Sequence, residues 1–291
     1  MRKFVMFVDS GCDLPMKYIE KYDFKTIPLT VTIEEEVITE YFDEAKKRKM
    51  WDAINDKKNL KTSLVNVGEF IEAFTPYLEE GYDIFYMAIS SGLSGTFNAA
   101  RMAKLELEDM YPERKIKIVD SLSGSLAEGL LAIYAKEMLD EGMDWDLVEK
   151  KMNEMAVHMH HFFVIDDLWH IRRGGRLSVA KALIASLIKV KPVCTANLRG
   201  QVAVVERHRG RKKALARIIE IVKEKIIDPI NQIIGIGHGD DEKGAVEVQK
   251  TLEKKLGIKN FILTSFGPII GIHGGPGNIA VFFLGKKRDL E

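Results

Sequence analysis

Short apolar, β-rich runs alternate with amphipathic helical stretches through the first half of the chain, the alternation that a parallel sheet wrapped by helices requires. Lys3 to Val8, Phe24 to Ile33, Tyr82 to Ile89 and Lys115 to Val119 read as strands. Asp43 to Ile54, Val67 to Leu78 and a stretch from the Ser90–Thr96 turn to about Asp109 read as helices, and a further helix opens at Ser121 to Ser125. Asp13 reads as the cap of the first helix, with Leu14-Pro15 in an opening turn where proline's missing N–H costs nothing.

After Glu141-Gly142 the pattern changes. A charged helix from about Asp144 to Met155 leads into a strand from Phe162 to Ile165, and a boundary there divides the chain into an N-terminal α/β domain, residues 1–157, and a C-terminal α/β domain, residues 158–291. The second half runs helix (Val179 to Ile188), strand (Val190 to Cys194), hairpin turn (Asn197 to Gly200), strand (Gln201 to Arg207) and helix (Arg211 to Lys225). A strand from Ile233 to Gly237 and a helix through Leu256 then precede strands on either side of Gly267 to Gly277. Hairpin and crossover signals are mixed here, so the second sheet should be mixed or antiparallel.

The 291 residues carry 43 basic and 43 acidic side chains, a balance that argues against a nucleic-acid binder, and with 46% apolar residues they can build a sizeable core. No apolar run approaches the roughly 20 residues of a membrane helix, and the opening apolar run is too short for a secretion signal. A cytoplasmic protein is expected. Cys12 and Cys194 stand far apart and suggest neither a disulfide framework nor a thiolate metal site.

Nucleophile-elbow, phosphate-loop, zincin and dinucleotide motifs are all missing from the sequence. Present instead are three clusters at predicted strand ends: Asp9-Ser10-Gly11, Ser90-Ser91-Gly92-Leu93-Ser94-Gly95-Thr96 and Asp120-Ser121-Leu122-Ser123-Gly124-Ser125. In an open α/β sheet, ligands bind in the crevice beyond the carboxyl ends of the strands, and hydroxyl-rich turns leave helix N-termini free to hold an anion. Taken singly, such turns also do nothing more than cap helices.

Thr62-Ser63 reads either as the lead-in turn of the Val67 helix or as part of the crevice. His273, inside Gly271-Ile272-His273-Gly274-Gly275-Pro276-Gly277, offers a ring donor beside poorly shielded backbone. His158, His160 and His161 lack a partnering carboxylate or cysteine motif and are expected as a surface cluster rather than a metal site. Arg172-Arg173-Gly174-Gly175-Arg176 and Arg207-His208-Arg209-Gly210-Arg211-Lys212-Lys213 are solvated faces or a patch for an anionic substrate or an acidic protein partner. Val179 to Ile188 is apolar on more than one face and would be buried or form a tunnel wall.

In this order the pieces resemble the DegV family of bacterial fatty-acid-binding proteins, over essentially the whole chain. The landmarks are Val8-Asp9-Ser10 to Asp13-Leu14-Pro15, Thr62-Ser63, Ser91 to Thr96, Arg173-Gly174-Gly175-Arg176-Leu177-Ser178, Lys191-Pro192, Arg211 to Leu215 and His273 to Gly277. The resemblance implies two α/β domains with a lipid tunnel between them, holding one long-chain fatty acid as ligand and no cofactor or metal. It implies a carboxylate held at Thr62, Ser94 and Gly95, with His273 and Gly274 close by. It further implies no catalytic residue, the chemistry being supplied by an ATP-dependent fatty acid kinase subunit that makes an acyl phosphate for phospholipid synthesis; Arg173, Arg209 and Arg211 would dock that partner. The rival reading is a serine-dependent esterase or phosphotransferase acting on a small carboxylate or acyl substrate, using Ser94 or Ser10 with His273. The chain departs from the family pattern at Gly11, Leu64-Val65, Ile272, Gly274 and Asn278.

Overall fold

The computed structural model describes residues 3–40, 43–166 and 190–290. The expected helix over 179–188 and Arg173 lie outside them. Four strands, β1 (Phe4–Asp9), β2 (Phe24–Ile27), β6 (Asp83–Ala88) and β7 (Ile116–Asp120), form a wholly parallel sheet in the order β2-β1-β6-β7. The two central strands, β1 and β6, are near-continuous apolar runs because helices cover the sheet: α1 (Met16–Lys21), α3 (Val67–Glu79), α4 (Thr96–Met110), α5 (Leu126–Asp140) and α6 (Trp145–Ala156). The chain winds outward in opposite directions from β1 and β6, so the crevice between their carboxyl ends is the switch point of the sheet.

The strand expected from Phe24 to Ile33 is two strands. Pro28 has no N–H for a ladder, and the next amide, of Leu29, donates instead to Ser10 Oγ at 2.9 Å. The chain therefore leaves the parallel sheet, and β3 (Thr30–Ile33) joins β4 (Glu36–Ile38) and β5 (Leu60–Ser63) in a small antiparallel sheet ordered β4-β3-β5, beside α2 (Glu44–Asn55). Thr62-Ser63 is thus strand rather than turn.

Asp13 does not cap a helix. It ends a single 3₁₀ turn (Ser10–Cys12) at φ 54°, and its carboxylate accepts from Ser125 Oγ at 2.6 Å and Gly267 N at 2.8 Å, which stitches the two halves of the chain together.

The second sheet is mixed and six-stranded, ordered β10-β9-β8-β13-β11-β12, from β8 (Met159–Val164), β9 (Val190–Ala196), β10 (Val202–Arg209), β11 (Ile234–His238), β12 (Phe261–Ser265) and β13 (Ile279–Leu284). Only β11 and β12 pair in parallel. Helices α7 (Arg211–Lys225) and α8 (Glu242–Leu256) pack on one face of it. Its other face meets the N-terminal half, with Phe266, Ile269, Ala280 and Phe282 sharing one apolar cluster with Ile89 and Leu126. Between β12 and β13, where a glycine loop was expected, Pro268–Gly274 forms a short helix, α9, with proline in its first turn.

His160 and His161 are buried, 1% and 7% exposed, and do not form a surface cluster. Strand β8 lies between β9 and β13, with α7 packed on one face of the sheet and the N-terminal half on the other, so both of its faces are covered. His160 stacks between Phe162 and Phe283 at centroid distances of 5.7 and 5.1 Å, and burial pushes its imidazole down to about 4. Among the described residues no group of His, Cys, Asp and Glu could hold a metal ion, and no helix is long and apolar enough to cross a membrane.

Candidate functional site

A cavity of about 460 Å³ opens between the two sheets. Its apolar wall comes from Leu29, Ile89 and Leu93 on one side and from Phe163, Ala196, Val202, Ala280 and Phe282 on the other, with Phe266, Ile269 and Ile270 of the α9 segment closing it. The sequence hides this wall because its members come from seven separate segments. The one legible signal was strand alternation, which puts Ala280 and Phe282 on one face of β13.

Thr62, Ser94, Gly95, His273 and Gly274, all expected at a head group, line the same cavity. Thr62 stands at the end of β5 with its Oγ1 3.0 Å from His273 Nε2, in the last turn of α9. A proton on Nε2 donated to Thr62 leaves the threonine's own proton for a ligand.

Ser94 precedes α4. Its Oγ accepts from Thr96 N at 3.2 Å and lies 2.8 Å from Thr96 Oγ1, which in turn accepts from Val65 N. Thr96, whose Oγ1 accepts from Val65 N, can donate its hydroxyl proton to Ser94 Oγ. Ser94 then keeps its own proton for the cavity, at the N-terminus of a fifteen-residue helix whose first amides favour an anion.

The other strand-end groups are consumed internally. Asp9 accepts from Gly11 N at 2.8 Å, Ile89 N at 2.9 Å and Tyr86 OH at 2.6 Å. Burial pushes its carboxyl up to about 6, against the pull of those donors. A Cβ at Gly11 would lie 2.7 Å from Ile89 Cδ1 and 2.8 Å from Asp9 Oδ1, so a side chain there requires both of these groups to shift. Ser90 Oγ donates to Gly200 O at 3.0 Å, and Ser121 Oγ to Ser123 O at 3.1 Å.

The esterase reading needs a serine held by a base. His273 Nε2 meets Thr62, Ser94 Oγ meets Thr96, and Ser10 Oγ meets the Leu29 amide. Arg209 is exposed, whereas Arg211 is half-buried, bonded to Asp241 and to Gly277 O. Arg211 therefore anchors the segment that follows His273, and neither arginine lines the cavity.

Two sheets, one parallel and one mixed, enclosing an apolar chamber with uncharged hydroxyls in its lining, define an α/β protein built around an internal ligand site. The model of the family described as "Uncharacterised protein, DegV family" matches residues 3–286. The chain belongs to the DegV family. A DegV domain-containing protein of Clostridium perfringens is 35% identical over 99% of this chain and 100% of its own length. Among solved structures, a fatty acid binding DegV family protein from Streptococcus agalactiae superposes with a TM-score of 0.87 at 27% identity, covering 99% of this chain and 100% of that one. DegV from Bacillus subtilis, described as a fatty acid binding protein, gives 0.85 at 29% identity over 98% of this chain and 100% of its own.

Proposed function

We propose that this protein is a cytoplasmic carrier that binds one long-chain fatty acid between domains 1–157 and 158–291 and presents its carboxylate to an ATP-dependent fatty acid kinase subunit. The partner would form the acyl phosphate for phospholipid synthesis, and this chain would supply no catalytic residue. The observation that carries the reading is the cavity, whose 460 Å³ falls within the roughly 300–1,000 Å³ of small-ligand sites and whose polar groups gather near Thr62, Ser94 and His273. Relatives described as fatty acid binding support the choice of ligand.

Burying about 15 methylenes at ~0.8 kcal/mol each yields on the order of 12 kcal/mol before the cost of immobilising the chain. The hydroxyls of Thr62 and Ser94 and the N–H of Gly95 then need only orient the carboxylate beside His273 and Gly274. Since none of these groups is an arginine or lysine, the carboxylate stays reactive toward a phosphate donor.

Native mass spectrometry before and after denaturing lipid extraction tests the carrier. One fatty acid lost on extraction is the expected result; a ligand-free protein that turns over acyl esters overturns it. Arg209, with Arg173 and the anchored Arg211, is the proposed docking patch. Arg209→Glu should abolish acyl-phosphate formation with the kinase subunit while fatty acid stays bound, and loss of the lipid as well would assign the patch to the fold.

A further inference from the structure

Along β8 the side chains alternate, so Phe163 and His161 face the cavity while His160 and Phe162 face away. His161 is 7% exposed, pairs across the sheet with Phe282, and has its Nδ1 3.5 Å from Ser123 Oγ. Its Nε2 bonds to no described group. A polar atom that faces a cavity pays a desolvation cost when an apolar chain fills it, unless the ligand bonds to that atom.

Burial, and after it the guanidinium of Arg288, hold this imidazole well below its ordinary pKa, so it is a neutral donor or acceptor and not a cation. With a buried guanidinium nearby, an electron-rich oxygen is a better partner for it than an amine. Its position along the cavity is fixed by β13, where Asn278, Ala280 and Phe282 line the wall in succession. Asn278 lies beside Gly274 at the end near His273. Phe282, opposite His161, is four residues further on, about 14 Å at the rise of a strand.

We propose that His161 forms a second polar subsite inside the cavity, selecting acyl chains that carry a hydroxyl at mid-chain. This rests on the fatty-acid reading above. The imidazole hydrogen-bonds the hydroxyl, Ser123 orients the ring, and Phe163 and Phe282 hold the methylenes on either side.

The test displaces a fluorescent fatty acid with stearic acid and with hydroxystearic acids whose hydroxyl is next to the carboxyl, at mid-chain or near the methyl end. The mid-chain isomer should bind at least as tightly as stearic acid, and the methyl-end isomer about tenfold more weakly, because its hydroxyl is buried unpaired. In His161→Phe the affinity for the mid-chain isomer relative to stearic acid should fall by about tenfold. A wild-type protein that penalises the mid-chain hydroxyl as much as the methyl-end one overturns the subsite, as does an unchanged ratio in the variant. If the variant does not fold, the wild-type isomer series decides alone. Failure of wild type to bind any of these acids, stearic acid included, would instead overturn the fatty-acid reading.

Discussion

The carboxylates of Asp9 and Asp13 and the hydroxyls of Thr62 and Ser94 all lie at or just beyond strand ends, but their donors and acceptors are spent differently. Asp9 and Glu128 are 0% exposed and Asp13 is 2% exposed; Asp9 and Asp13 together hold amides and hydroxyls from several segments. Thr62 and Ser94 are only partly buried, and each can keep a hydroxyl proton that no protein group uses. Asp9 and Asp13 fix the chain, and the two hydroxyls are left available to a ligand. A polar residue at a strand end is a ligand contact only when the fold leaves it hydrogen-bonding capacity.

The comparison breaks most visibly at Asp9. Asp9→Ala strands the Gly11 and Ile89 amides and the Tyr86 hydroxyl in the core, each worth about 1–3 kcal/mol, so the loss of stability should be on the order of 3 kcal/mol or more. Thr62→Ala should change stability by less than about 1 kcal/mol. Urea unfolding of both variants checks this, and equal destabilisation would erase the distinction.

A pH series separates the two regions again. Burial raises Asp9 and Asp13 from 3.8 to about 6, and it holds Glu128 well above the usual carboxylate range, with the charge of Asp9 adding to the effect. Between those pH values the folded protein keeps protons that the unfolded chain has released. The contribution of Asp9 and Asp13 to stability is therefore full below about pH 4, declines as pH rises toward 6 and is gone above it. On acidification from pH 7.5 to about 5.5 the two aspartates should add on the order of 1–2 kcal/mol, opposed by His160 and His161, which burial keeps neutral while their unfolded counterparts take up protons. Asp9→Asn isolates the carboxylate share: its stability relative to wild type should fall on acidification over that range, by on the order of 1 kcal/mol, and a pH-independent difference between the two would contradict it.

At the mouth, Ser94→Ala should weaken fatty acid binding by about ten- to a hundredfold, the loss of one hydrogen bond to a charged group, and adding Thr62→Ala should weaken it further. Acyl-chain burial keeps the ligand bound in both. Titration of a fluorescent fatty acid reads the effect, and an unchanged affinity in the double variant would move the head group away from these hydroxyls.

Alternation of strands and helices, the change of pattern after Gly142 and the ordered landmarks made both sheets legible in the sequence, together with the joint placement of Thr62, Ser94 and His273. What stayed hidden was set by partners far along the chain. Asp13 looks like a helix cap until Ser125 and Gly267 arrive as its donors. Thr62-Ser63 looks like a turn until Pro28 breaks a strand and frees β3 to pair with β5. His160 and His161 look solvated because histidine is polar, yet a strand covered on both faces buries whatever it carries. The glycine run around His273 hid a helix, since its apolar members, Ile269, Ile270 and Ile272, are too few to show a period.

Thr96 is where the two behaviours meet, and it supplies the smallest expected effect. It is 0% exposed and does not line the cavity, yet its hydroxyl lies between the Val65 amide and Ser94 Oγ. Thr96→Val keeps the shape and removes that bridge, leaving the weak 3.4 Å contact from Val65 N unmet at a cost of about 1 kcal/mol or less. If Thr96 donates to Ser94, the loss frees the serine hydroxyl to turn toward Val65 or solvent, and fatty acid affinity should fall by a few-fold, a fraction of the Ser94→Ala effect. If Ser94 instead donates to Thr96, the same variant releases a proton for the carboxylate, and affinity should hold or improve. The sign of the change, read in the same titration, decides which way the bridge runs; only a fall supports a Ser94 hydroxyl already poised for a ligand.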